Sequence, residues 1–221
     1  MTMSDIRNNT REILPEPTLR RFPWYLAYVS TLNSRKVEFV SSTQIAKDLN
    51  VDASQIAKDL SFLNIKGKTR IGYEVKTLEQ VLQDFLGFKE VHNAIIVGVG
   101  SLGGALVQDS GLSRYGLNIV AGFDINPSII GTKMSGIPIY NIADIEYKRK
   151  SLNAEIAIIA VPVDQAQNVA DLMVANGIKA LWNFTPSRIK LSDNIVVQNT
   201  SIYSHLAVMY NRLDIQKQQP K

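Results

Sequence analysis

The stretch VSSTQIAKDLNVDASQIAKDLSFLN, residues 40–64, sets the architecture of the amino-terminal third of the chain. It contains the hexapeptide Gln-Ile-Ala-Lys-Asp-Leu twice, at Gln44–Leu49 and at Gln55–Leu60. Both copies carry apolar residues at helical spacing, and only a few residues separate them. Two short helices joined by a tight turn form a helix-turn-helix, so the stretch predicts one.

Each predicted helix has its own start signal. Ser41 lies three residues before Gln44, and Asp52 lies three residues before Gln55, which is close to the capping-box pattern in both cases. Asn50 suits the left-handed position that ends the first helix. Capped helix pairs occur in many proteins, so this motif alone leaves DNA binding open.

The next segment, IKGKTRIGYEV at residues 65–75, alternates like a β-hairpin, and we expect it to turn at Gly67. Residues 66–76 carry four basic side chains and one acidic side chain, Glu74, for a local charge of +3. The basic residues are Lys66, Lys68, Arg70 and Lys76. A basic hairpin after a helix-turn-helix is typical of a wing that contacts phosphates or a narrow minor groove. A solvated charged turn is the alternative. Together these elements predict a winged-helix DNA-binding domain.

Two further helices flank this motif. The first has apolar residues along one face: Leu19, Phe22, Leu26, Val29 and Leu32. We expect this helix to begin near Pro23, because proline is tolerated in the first turn of a helix. The second covers Thr77 to Phe88, starts with a capping box of Thr77 and Gln80, ends at Gly87 and connects to the next domain.

From Val91 the periodicity changes to short apolar runs that alternate with helical stretches. The candidate strands are Ala94–Val99, Ile119–Phe123, Glu155–Val161, Lys179–Phe184 and Ile195–Val197. Alternation of this kind predicts a parallel sheet with helices on both faces, an α/β architecture. One of these helices should run from Asp164 to Asn176, with Gln167 as its capping partner and Gly177 at its end.

A glycine-rich loop follows the first of these strands. Gly98, Gly100 and Gly103 fit the dinucleotide fingerprint, in which the glycines allow a tight turn, a close approach to the pyrophosphate and helix–strand packing. Asp124 ends the next strand, where a carboxylate binds the ribose hydroxyls. It would repel a 2′-phosphate, and no arginine follows at Ile125 or Asn126, so NAD(H) is favoured over NADP(H).

Composition excludes several kinds of chemistry. The 221 residues include two distant histidines, His92 and His205, and no cysteine, which excludes disulfides, thiolate metal sites and a cysteine nucleophile. No apolar stretch approaches the roughly 20 residues that span a bilayer, and the charged amino terminus has no signal-peptide core. We therefore expect a cytoplasmic protein without metal, membrane partner or catalytic residues. A net charge of +4 permits an anionic partner without implying one.

The stretch from Ser201 to Leu213 is amphipathic. Its apolar positions are Ile202, Leu206, Met209 and Leu213, joined by Tyr203 and Tyr210. This face could pack on its own sheet or against a second subunit, as a two-fold symmetric DNA site requires.

From about Pro17 to Leu213 the chain resembles the Rex family of redox-sensing transcriptional repressors. The segments that carry the resemblance are RRFPWYL, VSSTQIA, DASQIAKDLS, GKTRIGYEV, GVGSLGGAL, AGFDINP, GTKMSGIPIY, VPVDQAQNVADLMVANGIKALWNFTP and NIVVQN. The resemblance implies a homodimer with a winged-helix domain, a Rossmann domain and a swapped carboxy-terminal helix. It also implies a palindromic operator that NADH releases and that NAD⁺ leaves bound.

By position, the resemblance implies the residues of both sites. The DNA-binding set is Ser41, Ser42, Gln55, Lys58, Lys66, Lys68, Arg70 and Tyr73. The NAD(H)-binding set is Gly98, Val99, Gly100, Ser101, Leu102, Gly103, Asp124, Val161, Pro162 and Asn183.

Some positions depart from the family pattern. Ala57 replaces an arginine on the recognition helix, and Ser101 stands where asparagine is common. Ala27, Asp109 and Ser201 stand where many members have an arginine, a tyrosine and an aspartate, which implies that the polar linkage behind the response to NADH is either missing or rebuilt.

We therefore expect a winged-helix domain over residues 1–87, with 1–16 flexible, a Rossmann domain over 88–200 and a terminal helix and tail over 201–221. The leading hypothesis is a dimeric repressor regulated by the NADH/NAD⁺ ratio. Two alternatives stay open: an NAD-dependent oxidoreductase with a regulatory domain, and a regulator that has an altered or absent response to NADH or binds another nucleotide, such as CoA or an adenine nucleotide.

Overall fold

The computed structural model describes residues 14–218, which fall into two compact units divided between Glu90 and Val91. The expected flexibility of residues 1–16 falls almost wholly outside the described residues, as does the end of the tail at 219–221. Within 14–218, no helix is both long and apolar enough to cross a membrane.

The first unit is a small helical domain with a two-stranded sheet. Its elements are α1 (Glu16–Ser34), β1 (Phe39–Val40), α2 (Ser42–Leu49), α3 (Ala53–Ser61), β2 (Tyr73–Glu74) and α4 (Val75–Leu86). Strands β1 and β2 pair antiparallel. Apolar side chains from all four helices form one core, in which Phe22, Val29 and Ile56 are fully buried. The predicted helix-turn-helix and wing are both present.

The predicted start signals of α2 and α3 are confirmed. The Ser41 hydroxyl accepts a hydrogen bond from the Gln44 N–H at 3.1 Å. The Asp52 carboxylate accepts from the N–H groups of Ser54 and Gln55 at 2.7 and 3.3 Å. Asn50 takes the left-handed conformation at the end of α2, with φ of 52°.

The prediction that the first helix begins near Pro23 is wrong. Helix α1 begins at Glu16, with Pro17 in its first turn, and continues through Pro23. An internal proline costs roughly 3 kcal/mol. The burial of Phe22 and Leu26 on either side of it offsets that cost, because together they fix this turn against the core.

The predicted capping role of Thr77 is also wrong. Helix α4 begins two residues earlier, at Val75, since Val75 is fully buried and its N–H bonds to the Glu38 carbonyl at 2.9 Å. Thr77 instead donates its hydroxyl proton to the Glu74 carboxylate at 2.6 Å. Gly87 ends the helix in the left-handed region, as predicted.

The wing turns later than predicted. Lys68 and Gly72 exchange two backbone hydrogen bonds, so the tip consists of Thr69, Arg70 and Ile71 and does not lie at Gly67. Gly72 has a φ of +106°, and a Cβ there would lie 2.3 Å from the Val40 carbonyl oxygen. The wing therefore packs so closely on β1 that only glycine fits at this position.

A buried carboxylate fixes α3 against α1. Asp59 is completely buried, and Arg21 binds it through Nε and Nη2 at 2.6 and 2.8 Å. The Tyr25 hydroxyl, the Thr18 hydroxyl and the Gln55 amide also donate to it, at 2.7, 3.0 and 2.7 Å. Every acceptor position is used by a partner from α1 or α3, so the rotation of α3 about its axis is set by this group.

The second unit is a doubly wound α/β domain. Its strands are β3 (His92–Val97), β4 (Leu117–Asp124), β5 (Lys133–Met134), β6 (Ile137–Asn141), β7 (Ile156–Ile159), β8 (Ala180–Asn183) and β9 (Val196–Asn199). Its helices are α5 (Ser101–Gln108), α6 (Gly111–Arg114), α7 (Ile145–Leu152), α8 (Ala166–Ala175) and α9 (Ile202–Gln218). The sheet order is β5-β6-β4-β3-β7-β8-β9, and all neighbours are parallel except β5 and β6. The six parallel strands have the 3-2-1-4-5-6 order of dinucleotide-binding domains, with a switch point between β3 and β7.

The five predicted strands are present, with shifted ends. The hairpin of β5 and β6 was not predicted. Its turn consists of Ser135 and Gly136, which both have positive φ, and this Ser-Gly pair is the sequence signal that could have indicated it. The capping role predicted for Gln167 is wrong: α8 starts at Ala166, and the Gln167 amide exchanges hydrogen bonds with the backbone of Lys190 at 2.9 and 3.0 Å. Gln167 sits one residue inside the helix, so its side chain reaches outward to the neighbouring segment. Gly177 has a φ of 82° just after the helix, as expected.

Helix α9 leaves its apolar side chains in solvent. None of its side chains through Ile215 is buried, and Met209 and Leu213 are 48% and 46% exposed. The possibility that this face packs on its own sheet is therefore not realised within the single chain.

The Asp59 cluster predicts a pH-dependent stability. Burial alone would raise the pKa of Asp59, but hydrogen bonds from Arg21, Tyr25, Gln55 and Thr18 together lower it. A carboxyl whose pKa is lower in the folded state stabilises the fold above its unfolded pKa, about 4, and this contribution disappears as the pH falls through the folded pKa. We expect Asp59→Asn to lose about 3 kcal/mol of unfolding free energy at pH 7 and to lose much of the acid dependence below about pH 4, measured by urea unfolding.

Asp48 is the matched control, because it occupies the same place in the first copy of the hexapeptide. It accepts hydrogen bonds from Tyr28 and Gln44 at 2.5 and 2.8 Å but is exposed. Asp48→Asn should change stability far less than Asp59→Asn. Equal effects of the two substitutions would show that burial of Asp59 is not what matters.

Candidate nucleic-acid and nucleotide sites

The outer face of α3 is small and polar. Ser54, Ala57, Lys58 and Ser61 recur at three- and four-residue spacing, and all four are exposed. The hydroxyls of Ser54 and Ser61 bond back to Asp52 and to the Lys58 carbonyl, which leaves Lys58 as the only long side chain of this face. Such a face can approach another surface closely. Lys58 was identified from the sequence but Ser54 and Ser61 were not, although their helical spacing from Lys58 could have indicated them.

Gln55 does not lie on this outer face. It is half-buried, and its amide nitrogen donates to Asp59. Its side chain therefore lies at the edge of the face and is held there by the buried carboxylate.

Ser41 and Ser42 lie at the amino terminus of α2, and both are half-buried. Ser41 caps the helix, and the first N–H groups of a helix carry partial positive charge. On the neighbouring helix, hydrogen bonds from the Ser54 hydroxyl and from the backbone lower the pKa of the capping Asp52. The cap of α3 is therefore charged at neutral pH.

The wing presents its cations to solvent. Lys66, Lys68 and Arg70 are all exposed, and the Lys68 ammonium lies 4.7 Å from the centre of the Phe39 ring. Arg70 has a φ of +64°, a conformation that costs a residue with a side chain roughly 1 kcal/mol or more. Tyr73 is half-buried, and this burial raises the pKa of its hydroxyl, so it is a neutral donor.

The glycine-rich loop has the geometry that its motif predicts. Gly98 has a φ of +88°, and a Cβ there would lie 2.5 Å from the Ala160 carbonyl oxygen. A Cβ on Gly103 would lie 1.9 Å from the Gly98 carbonyl oxygen, so the helix packs directly on the loop. At Gly100 the same space is open, with no heavy atom within 4 Å. Two glycines are thus required by the fold, while the middle one leaves room for a ligand.

The first turn of α5 closes this loop. Ser101 and Leu102 are exposed at the start of the helix, and the Gly104 N–H makes the first bond of the helix, to the Gly100 carbonyl at 2.7 Å. The N–H groups before it have no partner within the helix, which is the usual arrangement for binding phosphate.

Asp124 lies beside the loop at the end of β4. Its Oδ2 accepts from the Val99 N–H at 2.6 Å, and its Oδ1 accepts from the N–H groups of Ile125 and Asn126, both at 2.8 Å. Both lone pairs of Oδ1 are therefore used, whereas Oδ2 retains one, so the carboxylate is fixed in place and Oδ2 is still able to accept from a hydroxyl.

The remaining predicted residues lie across the switch point. Val161 and Pro162 follow β7, and the Ala160 carbonyl in front of them contacts Gly98. Asn183 ends β8 but is completely buried, and its side chain bonds to Thr185, Ser187 and Asn199. This side chain therefore shapes the loop after β8 from within.

The three departures from the family pattern make local contacts within the described chain. The Ala27 carbonyl accepts from Thr31, Asp109 accepts from the Gly111 N–H, and the Ser201 hydroxyl accepts from the Ser204 N–H at 3.2 Å. Ser201 is thus the cap of α9.

A cavity of about 500 Å³ lies at the opposite edge of the sheet, near His92, Glu155 and Lys179. These residues are at the amino ends of parallel strands, whereas ligands of such sheets bind at the carboxyl ends. The cavity is therefore not the nucleotide site.

Comparison with known proteins agrees with this architecture. Residues 13–61 match the family described as "Putative DNA-binding protein N-terminus", and residues 89–187 match the "CoA binding domain" family. The redox-sensing transcriptional repressor Rex of Bacteroides fragilis is 56% identical over 215 residues, 97% of this chain and 98% of the relative. Rex of Porphyromonas gingivalis is 54% identical over 200 residues, 90% of this chain and 92% of the relative.

Solved structures of a Rex-family repressor, RSP, have the same fold. RSP in complex with NAD⁺ and operator DNA superposes with a TM-score of 0.88 at 32% identity, over 94% of this chain and 95% of RSP. RSP in complex with NADH gives a TM-score of 0.84 over 94% and 97%. Identity this high over nearly the full length, in two unrelated modules that occur in the same order, confirms the resemblance found in the motifs: the chain belongs to the Rex family of redox-sensing transcriptional repressors.

Proposed function

We propose that this chain is a transcriptional repressor that binds a palindromic operator as a homodimer and is released from it by NADH. The observation that carries the proposal is that one chain combines a capped helix-turn-helix and a basic wing with a glycine-rich loop that has free space at Gly100. RSP, a relative of the same fold, has been solved with operator DNA and NAD⁺ and also with NADH. We place its action in the cytoplasm, where both the DNA and the nucleotide pool are found.

Helix α3 reads the operator in this proposal. Its outer face of serine and alanine lets the helix backbone come close to base edges in the major groove, and Lys58 supplies a cation that can reach guanine. Gln55 is held by Asp59 at the edge of this face, so its free carbonyl oxygen is its group for contacting DNA. Ser41 and Ser42 then meet a phosphate at the amino terminus of α2.

The wing supplies charge and reaches the neighbouring groove. Lys66 and Lys68 follow the phosphates, while Arg70 at the tip enters a narrow minor groove, where negative potential is strongest. Tyr73 donates from the base of the wing. The left-handed backbone of Arg70 supports this role, because glycine would adopt it without strain and yet arginine is present.

The loop from Gly98 to Gly103 binds the pyrophosphate of NAD(H), with the backbone of Val99, Ser101 and Leu102 around it. Asp124 binds the adenosine ribose and disfavours a 2′-phosphate. Val161 and Pro162 line the far side of the switch point towards the nicotinamide, and Asn183 holds the adjoining loop.

Helix α9 forms the dimer contact in this proposal. Its exposed apolar residues extend over several turns, and a second copy would cover them: Ile202, Tyr203, Met209, Tyr210 and Leu213. A two-fold dimer places two recognition helices on the half-sites of a palindrome.

The two alternatives have weaker support. The relatives are named as repressors, which speaks against an oxidoreductase. The family name of residues 89–187 mentions CoA, but the solved relatives hold NAD⁺ and NADH, and Asp124 stands where a ribose is bound.

The first prediction concerns the redox response. Operator fragments titrated with the full chain should bind tightly without nucleotide or with NAD⁺, and NADH should weaken binding at least fivefold, the lower range of allosteric coupling. Gel shifts at fixed salt measure this, with NADPH as the control nucleotide. Equal affinity under all conditions would remove the redox claim, whereas operator binding itself would still identify a DNA-binding regulator.

The second prediction separates the roles of α3 and the wing. Arg70→Gly removes a cation and relieves the left-handed strain, so operator and random DNA should both bind more weakly while stability does not fall. The slope of the logarithm of its DNA affinity against the logarithm of salt concentration should become shallower by about one. Lys58→Ala should cost about 1–3 kcal/mol on the operator and little on random DNA. Unchanged DNA affinity in Arg70→Gly would exclude the wing tip from the interface.

The third prediction uses two glycines of one loop as a matched pair. Gly100→Ala meets open space in the protein, so stability should stay within about 0.5 kcal/mol while NADH affinity falls at least tenfold, because the methyl group occupies the pyrophosphate position. Gly103→Ala should instead destabilise the domain, since its methyl group overlaps the Gly98 carbonyl. Calorimetry with NADH and thermal unfolding distinguish the two. Normal NADH affinity in Gly100→Ala would mean that the nucleotide does not bind at this loop.

A further inference from the structure

Strand β8 is joined to the segment before α9 by side-chain hydrogen bonds as well as by the backbone ladder. The Trp182 indole donates to the Thr200 hydroxyl at 2.9 Å, and the Asn183 amide donates to the Asn199 carbonyl oxygen at 2.9 Å. The Thr200 N–H also bonds to the Asn183 main-chain carbonyl at 2.8 Å. Because successive side chains point to opposite faces of a strand, one side-chain bond lies on each face of the sheet.

These bonds matter because β9 has little apolar packing of its own. It is the last strand of the sheet, and Val196, Gln198 and Asn199 are exposed. Its position therefore depends on polar contacts with β8 more than on burial. We expect a movement at the end of β8 to move β9 with it, because hydrogen bonds join the two strands directly.

Helix α9 starts almost directly after β9. Thr200 and Ser201 alone separate Asn199 from Ile202, and the Ser201 hydroxyl caps the helix. The 17 residues of α9 extend for about 25 Å. A rotation of about 10° at the first turn would move the far end by about 4 Å at that length.

The other end of the connection reaches the nucleotide crevice. The Phe184 N–H bonds to the Ile159 carbonyl at 3.0 Å, and Ala160, the residue after that strand, contacts Gly98 in the glycine-rich loop. Asn183 binds Thr185 and Ser187 from within and so shapes the loop at the carboxyl end of β8. One continuous set of contacts thus leads from the loop to the cap of α9.

We propose that Trp182 and Thr200 are positioning residues that couple the occupant of the nucleotide crevice to the orientation of α9. Their bond stands between β8 and the first residues before α9. This inference rests on the proposed function, because the output of α9 is the operator affinity of the dimer. The bond sets how strongly NADH changes that affinity, and it does not set the affinity for NADH itself.

The test is a thermodynamic cycle with two conservative variants. Thr200→Val and Trp182→Phe each remove the bond, and phenylalanine keeps an aromatic ring beside Phe184, 4.7 Å away between ring centres. The measured quantity is the ratio of operator dissociation constants with and without NADH, together with the NADH dissociation constant from calorimetry. Each variant should lower the ratio about threefold to tenfold, and the double variant should lower it no further, because both remove the same bond. NADH affinity should stay within about twofold of wild type.

Thr132→Val is the control, since the hydroxyl of Thr132 also makes one bond, to the Ile129 carbonyl, away from this connection. It should leave the ratio unchanged. An unchanged ratio in both test variants, or additive losses in the double variant, would overturn the inference while a responsive wild type keeps the proposed function. A loss of NADH affinity equal to the loss of the ratio would also overturn it, because the residues would then act on the ligand site. A wild type that ignores NADH would overturn both proposals.

Discussion

The carboxylate of Asp59 is the constraint on which the DNA-binding unit depends. A charged group can be completely buried only where donors replace the water it loses, and here Arg21 supplies a two-pronged pair while Tyr25, Thr18 and Gln55 supply the rest. Those donors come from α1 and α3, so the carboxylate is satisfied at one relative rotation of the two helices. That rotation decides that Ser54, Ala57 and Lys58 face outward.

The glycine-rich loop imposes an equally strict constraint on the second unit, by shape instead of charge. A Cβ on Gly103 would overlap the Gly98 carbonyl oxygen, and Gly98 in turn lies against Ala160 of the neighbouring crossover. Strand, loop, helix and the following strand therefore fit together at one point. That point is the switch between β3 and β7, which leaves the crevice open above it.

Much of this architecture could be predicted because it is encoded locally. Ser41, Asp52 and Asn50 act on their own helices, and the glycines act within six residues, so spacing alone indicates their roles. Pro23 and Thr77 were misjudged because burial of Phe22, Leu26 and Val75 outweighs local preference. Gln167 was misjudged because its partner, Lys190, lies 23 residues away.

The site residues show the same limit. Identical hexapeptides gave no reason to distinguish Asp48 from Asp59, and only the packing of α1 makes one exposed and the other buried. In the same way, Gln55 looks like a groove-facing residue in the sequence until Asp59 is seen to hold it. Sequence patterns predicted the elements that carry these residues, while the direction of single side chains came from contacts distant in the chain.

The carboxylate of Asp124 has a consequence for the timing of recognition. Three backbone N–H groups hold it before any ligand arrives, so a ribose would meet an acceptor that is already oriented. In the proposed site, the ligand would lose no free energy in ordering this side chain, and a nucleotide with a 2′-phosphate would meet fixed negative charge at first encounter. Selectivity of this preorganised kind would act on the association step as well as on residence time.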